Sequence, residues 1–279
     1  MDIGFVTDST VDLPDEVLIK EKIEMVPLYI NIGEQSYLDK VEMSRANFYR
    51  NLASFSHHPT TATPGIDAFV HAYQKQVNQG ASAILSFHIS KVLSNTVDVA
   101  RLASQKIVQV PVHIIDSGNL SLGTGLLLQL AVKMASSGEE VGEILKAVTD
   151  AITRTYTVAV LDTLEFLRRS GRLSSIQFGL GSLLFIKPII KMNNGVIDLE
   201  RIRTRKNAVK RLIQILEDLQ LLDDFAFVHT HAPEKIEQFK QMVAGLIPSQ
   251  QDTLTGEVTP VIGAHIGPGA FGFSAIAAK

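Results

Sequence analysis

Short apolar runs that read as strands alternate with amphipathic runs that read as helices through the first half of the chain, and this rhythm constrains the fold more than any other feature. The runs are Ile3 to Val6, Met25 to Ile32, Ala83 to Phe87 and Val112 to Ile115. Helical periodicity falls between or after them, at Leu13 to Lys20, Arg45 to Ala53, Ile66 to Gln79, Asn95 to Lys106 and Leu120 to Ser136. Strands joined by crossovers of that length pair in parallel, so this half predicts an α/β fold with a mostly parallel sheet and helices on both faces. Ser44 and Asp116-Ser117 stand where helix caps are wanted.

From about Tyr156 the pattern changes. A strand is expected over Thr157 to Leu161, then an apolar and basic stretch from Leu164 to Lys191. Asn193-Asn194-Gly195 lies between Ile189-Ile190 and Val196-Ile197, and Asn and Gly tolerate the positive φ of a type I′ turn, so a β-hairpin is expected there. Helices at Lys206 to Gln220 and Pro233 to Ala244, with strands at Phe225 to His229, Val258 to His265 and Ser274 to Ala277, complete a mixed or antiparallel α/β unit. With 279 residues the chain suits two lobes, here 1–155 and 156–279, with a ligand between them.

Charge excludes more than it proposes. A net charge of −3, from 26 Lys and Arg against 29 Asp and Glu, argues against nucleic acid and against a polybasic membrane patch. The absence of cysteine rules out disulfides, thiol catalysis and thiolate metal sites, and agrees with a cytoplasmic location. Asp2 stands where an export signal needs a basic residue. The uncharged stretches Ser117 to Val132 and Val258 to Ala278 are too short or too broken by Gly and Pro to span a membrane. Hydrophobic residues at 46% against 20% charged leave apolar surface to line a cavity.

Ligands of parallel sheets bind outside the carboxyl ends of the strands, and the residues there are mostly hydroxyls. Thr7-Asp8-Ser9-Thr10 reads as a phosphate cradle or as an Asx or ST turn. Thr60-Thr61 and Ser94 read as ligand hydroxyls or helix caps, and Asp116 as a tie between loops. Gly267-Pro268-Gly269-Ala270-Phe271-Gly272 has G-x-G-x-x-G spacing, but seven residues remain after Gly272, too few for the helix and second strand of a dinucleotide site. What stays is a close-approach loop beside His265, itself either a core histidine or a ligand group. Ser94, His265 and Asp116 assemble a triad only on paper. His229 and His231 give weak support for a metal, His57-His58 less, and no metal or catalytic residue is expected. Phe178, Leu180, Leu183, Leu184, Phe185 and Ile186 are candidates to wall a pocket, and Arg201, Arg203, Arg205, Lys206, Lys210 and Arg211 form a basic patch.

Thr7-Asp8-Ser9-Thr10, the Arg169-Ser170-Gly171-Arg172 core of Leu164 to Leu173, Lys187-Pro188-Ile189, Ile202-Arg203-Thr204-Arg205-Lys206 and His265-Ile266-Gly267-Pro268-Gly269 occur in that order. Together they resemble the DegV family across essentially the whole chain. The resemblance implies a two-domain bacterial protein that buries one long-chain fatty acid such as palmitate between its lobes, with no other cofactor. It also implies service as the B subunit of fatty acid kinase, presenting the acyl carboxylate to a separate ATP-binding subunit, with room for transient contact with a membrane surface. Carried over by position, Thr61, Ser94 and His265 are the carboxylate contacts and Arg203 is the partner-docking or phosphate-contact arginine. Ala62-Thr63-Pro64-Gly65 departs from the family's Ser-Gln-Pro-Ser, and Asn95 from its glycine, which leaves the head-group geometry open. A small-molecule phosphotransferase and a lipid-responsive regulatory protein are the alternative readings.

Overall fold

The computed structural model describes residues 2–172, 186–247 and 253–279. The chain runs through β1 (Ile3–Asp8), α1 (Asp15–Lys20), β2 (Glu24–Val26), β3 (Tyr29–Ile32), β4 (Gln35–Leu38), α2 (Arg45–Asn51) and β5 (Thr60–Ala62). Then come α3 (Ile66–Asn78), β6 (Ala83–His88), α4 (Thr96–Ser104), β7 (Val112–Asp116), α5 (Leu122–Ser136) and α6 (Val141–Arg154). The second half contains β8 (Thr155–Val160), α7 (Glu165–Arg169), β9 (Lys187–Asn193), β10 (Val196–Ile202) and α8 (Arg205–Asp218). It ends with β11 (Leu222–His229), α9 (Pro233–Val243), β12 (Leu254–Glu257), α10 (Pro260–Ile266) and β13 (Phe271–Ala277).

The described residues form three sheets. The first, in order β2-β1-β6-β7, is wholly parallel, as the strand and helix rhythm predicts. Its alternating side chains feed two cores, because successive residues of a strand point to opposite faces. Val6 and Ile84 pack with Phe69 and Tyr73 of α3 and Ala100 of α4. Phe5, Leu85 and Phe87 pack with Leu126 and Leu127 of α5. The second sheet, β10-β9-β8-β13-β11-β12, is antiparallel except for the parallel pair β11–β12. A small antiparallel sheet, β4-β3-β5, accounts for the rest.

The expected single strand over Met25 to Ile32 is two strands in different sheets. Pro27 lies between them, and a residue without an N–H interrupts a ladder. The expected strand over Val258 to His265 is also corrected, since most of it forms α10. Pro260 opens that helix, where its fixed φ is favourable and its missing N–H costs nothing. The hairpin forms as predicted: Asn193 pairs with Val196, leaving Asn194 (φ 45°) and Gly195 (φ 75°) as a type I′ turn. Ser44 caps α2 by accepting from the Asn47 N–H at 3.2 Å.

The uncharged stretch beginning at Ser117 becomes the central helix α5, apolar nearly all round because both of its faces are covered. It packs against β6 of the first sheet and against β8, β11 and β13 of the second. The same hydrophobic cluster therefore holds Phe5 and Leu85 together with Ala226, Val228 and Ile276. Each fully buried leucine there, Leu122, Leu127 and Leu128 among them, contributes about 2 kcal/mol by burial. Among the described residues, no helix is long and apolar enough to cross a membrane.

Candidate functional site

A mainly apolar cavity of about 500 Å³ is lined by residues from both halves of the chain. The segment after β6 contributes Ile89 and Leu93, α10 contributes Val261 and Ile262, and the second sheet contributes Ala159 and Ile190. Opposite Ala159 in β13 stands Gly272, where a side chain would lie 2.0 Å from the Val158 carbonyl oxygen. Of the expected wall residues, Phe178, Leu180, Leu183, Leu184 and Phe185 lie outside the described residues; Ile186 packs against Leu161 and Leu167.

Thr61, Ser94 and His265 all line this cavity. Thr61 sits in β5, which pairs with β3 through Ile30. His265 arrives at the end of α10 rather than at the end of a strand. Gly267, at φ 75°, then stops the helix with its N–H on the Gly263 carbonyl at 2.8 Å, and a Cβ there would strike the Phe166 ring at 2.2 Å. Ala270 is fixed by its N–H donating to Thr230 Oγ1 at 2.8 Å, so the glycine turn is held rigidly beside the histidine.

Thr61 Oγ1 and His265 Nε2 are 3.0 Å apart, while His265 Nδ1 is buried with no partner. Burial pushes the His265 imidazole down to about 4, helped by the nearby charges of Arg172 and His58, so the ring is neutral at pH 7. A neutral imidazole and a hydroxyl together carry two polar hydrogens. One serves the bond between them. The other, at Nδ1 or at Thr61 Oγ1 according to the tautomer, is left to donate elsewhere. Ser94 is less free: its Oγ contacts Thr96 Oγ1 at 2.8 Å and accepts weakly from the Thr96 N–H at 3.4 Å, so it helps open α4 while facing the cavity.

Arg172 was missed as a site residue. It lines the cavity and lies near enough to influence His265. In sequence it stood inside the apolar and basic stretch from Leu164; the available signal was the glycine before it, Gly171, which takes φ 72° and turns the chain there. Arg203 is exposed at the bend between β10 and α8 and is not in the cavity lining. The basic patch around it is partly neutralised, because Arg211 pairs with Glu200 at 2.9 Å.

The other candidates have structural partners. Asp8 Oδ1 accepts from the Thr10 N–H at 3.0 Å and Asp8 Oδ2 from the Ile89 N–H at 3.1 Å, closing an Asx turn that ties β1 to β6. Asp116 Oδ1 accepts from Gly118 at 3.0 Å and Lys91 at 3.3 Å, tying two loops. His229 lines the cavity and accepts from the Ala232 N–H through Nδ1 at 3.2 Å, while His231 pairs with Glu257 at 3.1 Å. Among the described residues no three His, Asp or Glu side chains gather as a metal site.

The family model described as "Uncharacterised protein, DegV family" matches residues 2–278. A DegV domain-containing protein of Streptomyces coelicolor is 32% identical over 273 residues, covering 97% of this chain and 96% of its own. Among solved structures, DegV from Bacillus subtilis, described as a fatty acid binding protein, superimposes with a TM-score of 0.90 at 30% identity, with 100% of both chains covered. A DegV family protein from Thermus thermophilus, described by its fatty acid binding, gives a TM-score of 0.89 at 29% identity over 100% of both chains.

Proposed function

The chain belongs to the DegV family, and on that premise we propose that it binds one long-chain fatty acid in the 500 Å³ cavity, with the carboxylate at Thr61, His265 and Ser94. The observation that carries this reading is the Thr61–His265 pair, which keeps a free donor at a mainly apolar cavity. A carboxylate accepts that hydrogen and is drawn further by Arg172. Hydrogen bonds to an ionised group contribute about 1.5–3 kcal/mol each. An acyl chain of roughly 14 methylenes at about 0.8 kcal/mol each offers on the order of 11 kcal/mol before association costs, so the tail dominates affinity and the head group sets orientation. The fatty-acid-binding relatives from B. subtilis and T. thermophilus support the same ligand class.

In this reading the protein is a cytoplasmic carrier of two lobes, 1–155 and 156–279, and has no catalytic residue of its own. It presents the carboxylate to a separate ATP-binding kinase subunit, which docks through the exposed Arg203. Hydrogen bonds from the Thr61–His265 pair suit that task, because they fix the orientation of the carboxylate oxygen. The phosphotransferase alternative loses support from the Asp8 turn, whose carboxylate is occupied by Thr10 and Ile89.

Native mass spectrometry of the purified protein tests the ligand. One bound fatty acid is expected; an empty protein that also fails to bind palmitate on titration rejects the reading. ATP turnover by the isolated chain would favour the phosphotransferase instead.

A further inference from the structure

Thr259 stands at the N-terminal end of α10, the natural position for a hydroxyl that caps its own helix, yet its side chain makes no capping bond. The hydroxyl donates instead to Asp39 Oδ2, and the Thr259 N–H donates to Asp12 Oδ1 at 2.8 Å. Asp39 and Asp12 come from distant parts of the chain and are almost wholly buried. Asp12 is anchored in turn by Arg45 Nη2 at 3.1 Å and by the Ser121 hydroxyl at 2.5 Å, and Ser121 lines the cavity. Buried carboxylates are costly unless fully hydrogen-bonded, Asp39 Oδ1 has no partner, and neither residue lines the cavity.

We infer that Asp12 and Asp39 are positioning residues that act through Thr259: they fix the start of α10 and thereby the placement of His265 against Thr61. This rests on the fatty-acid reading above. The helix is two turns long, so Thr259 and His265 are about 9 Å apart along a rigid rod. Tyr49 packs against it, the hydroxyl donating to the Val258 carbonyl just before the helix at 2.9 Å and the ring leaving no room for a side chain at Gly263 in its middle. Rotation or sliding at the Thr259 end is therefore passed to His265, and a displacement near 1 Å is enough to break a 3.0 Å hydrogen bond. The consequence is uneven: a small shift of α10 breaks the directional Thr61–His265 hydrogen bond, while the non-directional apolar contacts of Val261 and Ile262 with the tail change far less.

Thr259→Val and Thr259→Ala remove the hydroxyl, and Thr259→Ser restores it. Calorimetric titration with palmitate and with hexadecanol, which has the same chain and no carboxylate, separates head from tail. Palmitate affinity is expected to fall about tenfold in the Val and Ala variants with hexadecanol within twofold, and Thr259→Ser to match the wild type. Nitrogen-15 shifts of the His265 ring in the ligand-free protein are expected to move in the Val and Ala variants and to return in Ser. An unchanged ratio of palmitate to hexadecanol affinity with unmoved His265 shifts, in whichever of the two variants folds, overturns the inference. Failure of wild-type protein to bind palmitate rejects the fatty-acid reading instead, and the nitrogen shifts then decide the positioning role alone.

Discussion

At the scale of single residues, the site depends on hydroxyls whose local bonds differ. Thr61 bonds His265 and little else, whereas Ser94 also bonds Thr96 at the start of α4. Thr61→Ala is thus expected to weaken palmitate binding by about 1–2 kcal/mol, roughly five- to thirty-fold, with little change in melting temperature. Ser94→Ala should lower affinity less and stability more, because its hydroxyl also bonds the side chain and, weakly, the N–H of Thr96, the first residue of α4. Titration calorimetry and thermal melts on the two variants check this; a melting loss at Thr61 with unchanged affinity would make that hydroxyl structural. Thr61, Ser94 and His265, singled out together through the family resemblance, line one cavity, whereas local sequence left each of them open to a capping or core reading. Asp12 and Asp39 were not legible in the sequence, since their significance comes from Thr259, more than 200 positions away.

At the scale of elements, the legible parts were those whose local chemistry allows one conformation. Asn194-Gly195 needs two positive φ values and so specifies the β9–β10 hairpin. The misread parts carry signals that two structures share. Val261-Ile262 is β-branched and apolar, as a strand would be, but Pro260 and the contact of Gly263 with Tyr49 make it helical. Gly272 looked like loop because glycine usually punctuates strands, yet it lies inside β13, which starts at Phe271. There the absence of a side chain lets β13 approach β8 beside the cavity. Gly272→Ala puts a methyl within 2.0 Å of the Val158 carbonyl and 2.6 Å of the Ala159 Cα, backbone atoms that cannot rotate aside. The expected cost is about 3 kcal/mol, read as a lowered midpoint in chemical denaturation, together with weakened palmitate binding as β8 shifts. A variant as stable as the wild type would show that the β8–β13 spacing is adjustable.

At the scale of the whole molecule, the rhythm of strands and helices gave the parallel sheet, but not the shared core. The uncharged run from Ser117 had no polar face to show which surface it would turn inward, and only the second sheet closing over α5 explains it. Across that core lie two groups with opposite effects on stability. Burial pushes Asp39 up to about 6, opposed by the hydroxyls of Thr259 and Ser9, with Asp12 and Arg45 as its charged neighbours. Its folded form keeps a proton that the unfolded chain releases near 3.8, so this contribution favours folding at low pH and is lost as pH rises through about 6. His265, near Arg172 and His58, behaves in the other direction. Its folded form refuses a proton that the unfolded chain takes up near 6.5, so its contribution is complete above that value and is lost as pH falls towards about 4. Between about 4 and 6, unfolding therefore binds one proton at His265 and releases one from Asp39, and slopes of up to about 1.4 kcal/mol per pH unit nearly cancel. Removing either group exposes the other. Relative to wild type, His265→Asn is expected to lose about 1 kcal/mol of stability per unit as pH rises from 4.5 to 5.5, and Asp39→Asn to gain about as much. Urea denaturation at three pH values in that interval measures both. Curves that run parallel to the wild type for both variants would mean that neither group titrates differently in the folded and unfolded chain, so that the packing around α10 neither keeps a proton on Asp39 nor excludes one from His265.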